Sequence, residues 1–222
     1  MGRFKTNRFL EKNFKALHLE PTTFLMRLRS KTANSHQLIE QNNVSQSLMS
    51  QNVTTIQYAQ YLSKMYSFVH GFEKIVFPLL KNYEMLQLDD RRKSHLIEAD
   101  LALLNYNGVQ RHENDELFST HYQTAAAALG GMYVLEGSTL GGQIISRHLS
   151  KILGNAVDGK TTYLTAYTFQ TGSMWKNFLQ LLCAEGDRHD FEEEIIASAV
   201  KTFSLLNMCL SHEPLKLAEY EN

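Results

Sequence analysis

Over long stretches of this 222-residue chain, apolar residues recur at three- and four-residue steps; only 3 residues are proline, and one short segment alone is β-prone in composition. Together these predict an all-α fold, because such spacing lays apolar side chains along one helical face and little interrupts it. No internal repeat, low-complexity tract or shift in composition divides the chain. A single multi-helical domain is therefore expected over residues 21–213, between an N-terminal extension at 1–20 and a tail at 214–222.

Thr22 or Thr23 can cap a first helix reaching about Gln41, with Phe24, Met26, Leu28, Leu38 and Ile39 as apolar positions. Thr54 or Thr55 can cap a second, in which Ile56, Tyr58, Ala59, Leu62, Met65, Tyr66, Val69, Phe72, Ile75 and Val76 form one wide apolar face. A third is expected to start near Asp89 and Asp90, whose carboxylates suit a helix amino end, and to pass through Leu96, Ile97, Leu101 and Leu104 before residues 105–108 stop it. The polar stretch 111–116 reads as a loop. A fourth helix is expected over about 119–153, a fifth over 173–184, and a sixth over about 191–209 with Ile195, Ile196, Ala199, Phe203 and Leu206 inward. Residues 161–169, rich in Thr and Tyr, are the β-prone exception, and one extended segment cannot make a sheet by itself.

Lys plus Arg total 22 against 23 Asp plus Glu, so no basic field is available to hold a nucleic-acid backbone. Cys183 and Cys209 lack C-x-x-C spacing and are too few for a disulfide framework, which fits a reducing compartment. No apolar run resembles a signal peptide or reaches the roughly 18 residues that span a bilayer, so a cytoplasmic protein without a membrane span is expected.

Two stretches could carry chemistry. In the first helix Arg29, Thr32, His36 and Glu40 fall on one face. A histidine on an inward face, oriented by a polar group one turn away, suits an axial metal ligand; a boundary residue of an amphipathic helix is the plain alternative. Arg29 could reach the acidic edge of a flat ligand or remain a solvated cation. The second stretch is Gly130, Gly131, Gly137, Gly141 and Gly142 inside one helix, where each glycine costs on the order of 1 kcal/mol relative to alanine. Close helix–helix contact could offset that cost, as could a helix laid over a flat ligand. The histidines, His70, His95 and His121 among them, make no paired E-x-x-H pattern, which disfavours a diiron site.

Taken together, the two stretches resemble heme oxygenase. Leu28, Arg29, Thr32, His36 and Glu40 match that family's axial-histidine pattern, and Gly137, Gly141, Gly142 and Gln143 match its distal Gly-x-x-x-Gly-Gly-Gln. The stretch 133–142 looks most like the bacterial branch associated with phytochromes. The resemblance implies heme as substrate and cofactor, with His36 as the iron ligand and Glu40 and Thr32 supporting it. It also implies O2 and a redox partner such as ferredoxin or a reductase, with biliverdin, iron and carbon monoxide as products. An apo-phytochrome is the implied biliverdin acceptor.

On the same resemblance Gly137, Ser138, Gly141 and Gly142 form the distal wall, while Arg29 and Lys176 pair with heme propionates. Lys176 could equally be a solvated cation and Tyr133, also placed near heme, could be core packing. Ser138 departs from the family, many members of which have aspartate there to anchor the water network that delivers protons. A hydroxyl holds water but brings no charge, so a non-catalytic heme-binding or heme-transfer protein on the same fold is the competing reading. Glu136, about 200° around the helix, should point away from the distal face.

Overall fold

Threonine side chains open the first two long helices. In this computed structural model, which describes residues 22–108, 115–188 and 191–211, Thr22 Oγ1 accepts from the Leu25 amide at 3.2 Å and starts α1 (Thr23–Gln41). Phe24, Leu25, Leu28 and Thr32 are its buried face. Met26 and Leu38, expected among the apolar positions, are 51% and 49% exposed, since steps of about 100° per residue carry them off that line. Asn42 then caps a short α2 (Asn43–Leu48) that the sequence pattern does not announce, accepting from Val44 N at 2.9 Å.

α3 (Thr55–Ile75) begins with a reciprocal Thr54–Gln57 capping box and is buried along most of its length, although Ile56 in its first turn is exposed. Three 3₁₀ turns follow, at Phe77–Leu80, Glu84–Leu86 and Leu88–Arg91. The last occupies the place where Asp89 and Asp90 were expected to start a helix. α4 (Ser94–Leu103) starts later because its free amides are met from a distance: the buried Glu73 carboxylate on α3 accepts from Lys93 N and from Ser94 N, the latter at 3.1 Å.

The expected fourth helix is two helices. α5 (Asp115–His121) ends at a break over 122–124, and α6 (Ala125–Leu153) restarts under a Thr124 cap whose hydroxyl accepts from Ala127 N at 3.1 Å. Of the polar stretch 111–116, residues 111–114 lie outside the described residues, and Asp115 and Glu116 open α5. The β-prone segment makes turns and a 3₁₀ turn at Thr168–Gln170, with no strand among the described residues. Its shape is set by Asp100 on α4, whose carboxylate accepts from Thr162 N at 3.0 Å and Tyr163 N at 2.9 Å. α7 (Thr171–Gly186) and α8 (Glu192–Ser211) complete the bundle.

α8 is the helix on which the two motif-bearing helices meet, since both α1 and α6 pack along it. Its inward residues Ile195, Ile196, Ala199, Phe203 and Leu206 are all buried. The extension 1–20 and the tail 214–222 lie outside the described residues, and no described helix is long and apolar enough to cross a membrane.

Candidate functional site

The two motifs come together through a threonine and a tyrosine. Burial raises the Tyr133 phenol above its ordinary value, while a hydrogen bond with Thr32 and the charge of Arg29 pull the other way. Tyr133 on α6 therefore sits against Thr32 and Arg29 on α1. Thr32 Oγ1 also donates to Leu28 O at 2.8 Å and is buried, so this junction is fixed from the α1 side. His36 lies one turn beyond Thr32, and Gly137 one turn beyond Tyr133.

His36 is not enclosed: 41% of its side chain is exposed, its Nδ1 stands 3.4 Å from Glu40 Oε1, and its ring meets the edge of Phe203 on α8 at 5.7 Å. A carboxylate beside Nδ1 favours the proton there and leaves Nε2 as the free lone pair. Around Gly137 the nearest atoms belong to Trp175 on α7, 3.7 Å from where a Cβ would stand, and around Gly141 there is nothing within 4 Å. Trp175 in turn packs against Tyr133, at 5.8 Å between ring centroids. Lys176, next in the chain, is half-buried.

The other three glycines of α6 answer to packing. A Cβ at Gly130 would stand 2.4 Å from Ile195 O on α8, one at Gly131 2.6 Å from the Phe72 ring, and one at Gly142 2.6 Å from Leu164 O. Gly142 thus admits the turn at 161–168 against the helix. Ser138, on the shoulder between Gly137 and Gly142, donates its hydroxyl proton to Leu135 O at 2.7 Å. Gln143 donates to Thr171 Oγ1 at 2.8 Å, tying α6 to the start of α7.

Behind this strip lies a buried polar cluster that sequence reasoning located only as Glu136 pointing elsewhere. The Glu136 carboxylate, fully buried, takes Arg91 Nη1 on one oxygen and Lys93 Nζ at 2.8 Å on the other, and Tyr167 donates to it at 2.9 Å. Arg91 adds a bond to Met174 O at 3.2 Å, and Lys93 lies 4.8 Å over the Tyr167 ring. The one sequence signal for it was a carboxylate inside an otherwise apolar helical run; its partners on the 88–93 segment carry no local mark. His148, eleven residues beyond Gly137 on the same helix, bonds Ser50 O at 3.0 Å. Among the described residues no group of three or more His, Cys, Asp or Glu could hold a metal ion.

A sequence profile described as Heme oxygenase matches residues 22–213, a range that includes every described residue. The chain belongs to the heme oxygenase family. No curated protein sequence matches it significantly. Among solved structures, the heme oxygenase of Leptospira interrogans is similar with a TM-score of 0.71 at 17% identity, covering 86% of this chain and 99% of that one. The NO- and CO-bound heme oxygenase of Neisseria meningitidis gives 0.69 at 22% identity, over 85% and 90%. Heme oxygenase-1 of the cyanobacterium Synechocystis, in complex with heme, gives 0.66 at 16% identity, over 85% and 91%. At these identities the likeness establishes the all-α heme oxygenase fold.

The residues present fit a heme. The chemistry of the set is an imidazole beside a carboxylate at His36, cationic side chains at Arg29 and Lys176, aromatic rings at Tyr133 and Trp175, and a helix strip where a Cβ at Gly141 would meet nothing.

Proposed function

We propose that this chain opens heme oxidatively to biliverdin with release of iron and carbon monoxide, using O2 and electrons from a redox partner such as a ferredoxin or a reductase. When bound, heme supplies the iron at which oxygen is activated and the porphyrin that is consumed. The observation that carries this reading is the pairing of an imidazole beside Glu40 with a glycine strip left open at Gly141, on two helices that both pack along α8. His36 would hold the iron. Arg29 and Lys176 would pair with the propionates and so orient the heme. Gly137 and Gly141 keep side chains out of the space where oxygen must fit, and Trp175 and Tyr133 exclude water from one flank. Delivery of biliverdin to an apo-phytochrome is the downstream role supported by the likeness of the 133–142 stretch to the phytochrome-associated branch.

A specific observation favours a second reading. Ser138 spends its one proton on Leu135 O, so it offers the distal side an acceptor but neither charge nor donor. A heme-binding or heme-transfer protein would tolerate that. Titration with heme should give a histidine-ligated ferric spectrum for the parent chain and a different one for His36→Ala; identical spectra would remove the ligand assignment. Ascorbate or a reductase added in air should then convert the Soret band to biliverdin, identified by product analysis. A Soret band that persists selects the binding protein over the enzyme.

A further inference from the structure

Between α4 and α5 the chain is tied down on both sides of one dipeptide and left untied within it. Asn105 takes a left-handed φ of 54° just past the end of α4, with its own N–H on Ala102 O at 3.0 Å and the Tyr106 N–H on Leu101 O at 3.0 Å. A little further on, the Gly108 carbonyl accepts from Ser63, buried on α3, at 3.2 Å. In between lies Asn107, exposed and outside any helix. Neither its carboxamide nor the Gly108 N–H is engaged by any of the described residues. The Tyr106 ring folds over Gly108, where a Cβ would stand 2.9 Å from the phenol oxygen, and glycine brings no side chain of its own to shield that nitrogen.

We propose that Asn107 is a self-modification site, at which the chain converts its own asparagine to a mixture of aspartate and isoaspartate. The Gly108 nitrogen, having lost its proton to solvent base, attacks Asn107 Cγ. A C–N bond forms, the Cγ–Nδ2 bond breaks, and the amide leaves as ammonia with a proton taken from water. The five-membered imide then adds one water at either carbonyl. Opening on one side gives aspartate, and on the other isoaspartate, whose main chain runs through Cβ and Cγ. Water is the co-reactant, and nothing is oxidised or reduced. Asn105 is the internal contrast. It is also exposed, but the amide it would need is held by Leu101 O and belongs to a tyrosine, so it stays intact. Aspartate adds a negative charge to the loop, whereas isoaspartate inserts one main-chain carbon between two fixed points. One of the two bonds, Tyr106 to Leu101 or Gly108 to Ser63, then has to give. Isoaspartate in an exposed loop is the substrate class of repair enzymes that methylate its carboxylate, and this names the kind of partner the site takes.

The site is independent of the function proposed above. The full chain is held in mildly alkaline buffer, digested with trypsin over a time course, and the Ser94–Arg111 peptide is fragmented to read both asparagines. A mass gain of about 1 Da, the exchange of an amide NH2 for OH, should build up at residue 107. It should do so at least about 10-fold faster than at 105, since glycine leaves the attacking nitrogen unhindered. An isoaspartate methyltransferase with a labelled methyl donor should mark the same peptide. No gain at 107, or equal gains at 105 and 107, overturns the proposal. Raising the pH should speed the gain, because the attacking nitrogen must lose its proton; a rate that does not respond also overturns it. Asn107→Gln, whose longer side chain needs a six-membered ring, should stay unmarked, and a peptide still labelled in that variant places the reaction elsewhere. The aged parent chain should unfold at lower denaturant than Asn107→Asp, which carries the charge on an unaltered main chain. Equal midpoints would show that the inserted carbon disturbs neither anchor and overturn that part of the proposal.

Discussion

Helix α6 uses the same residue for opposite ends in its two halves. Gly130 and Gly131 are buried where a Cβ would run into Ile195 O at 2.4 Å and the Phe72 ring at 2.6 Å, whereas Gly137 and Gly141, two turns on, have a tryptophan at ordinary contact distance and nothing at all. In the first half glycine lets α8 approach, and the close packing offsets its conformational cost. At Gly137 and Gly141 no close contact repays that cost, unlike Gly142 beside them, where a Cβ would stand 2.6 Å from Leu164 O. Counting glycines cannot distinguish these cases, since both read as small residues at helical spacing.

The comparison can be broken at the boundary first. Glu136→Ala leaves Arg91 and Lys93 buried without their carboxylate and should cost about 3–5 kcal/mol, read as a fall in the denaturant midpoint; a change within error would mean that the cluster does not hold the halves together. Gly130→Leu should cost about 3 kcal/mol, because Ile195 O belongs to a helix backbone and cannot step aside. The same leucine at Gly141 should leave the fold no less stable yet lower aerobic heme turnover about 100-fold by displacing the reacting groups. Gly141→Ala should stabilise the chain by about 0.5–1 kcal/mol, with a sign opposite to any side chain at Gly130.

A smaller effect tests the α6–α8 seam from outside. Burial, and then the charge of Lys201, lower the His121 pKa from its ordinary 6.5. The folded state then binds fewer protons than the unfolded one below that value, so stability is full above about pH 6.5 and declines as pH falls. His121→Gln should flatten that decline in a series of thermal melts.

What could be read from the residues was local. Thr22 and Thr54 sit where their caps form, and the inward positions of the last helix are buried as its spacing requires. What could not be read was set by partners far along the chain. Asp89 and Asp90 look like a helix start, but the start is moved to Ser94 by Glu73, about twenty residues earlier. Thr and Tyr over 161–169 suggest extended backbone, and the Asp100 carboxylate folds them into a turn instead. The break at 122–124 was hidden because strong helix formers follow it directly. Of the candidate site, His36, Glu40 and the open glycines lie on faces that helical periodicity gives. The Arg91–Glu136–Lys93–Tyr167 cluster joins three segments and has no periodicity to betray it.

The seat of α1 has a consequence for synthesis. Arg27 and Asn42 bond to Glu192 and Asn207 on α8, each pair 165 residues apart. A nascent chain that has emerged only through α7 therefore has its glycine-bearing helix but lacks the surface on which α1 lies. Such contacts form late, because chain must be closed over a long loop before they contribute. The histidine helix is consequently made before the surface that seats it, and the α1–α8 contacts cannot close until α8 has left the ribosome.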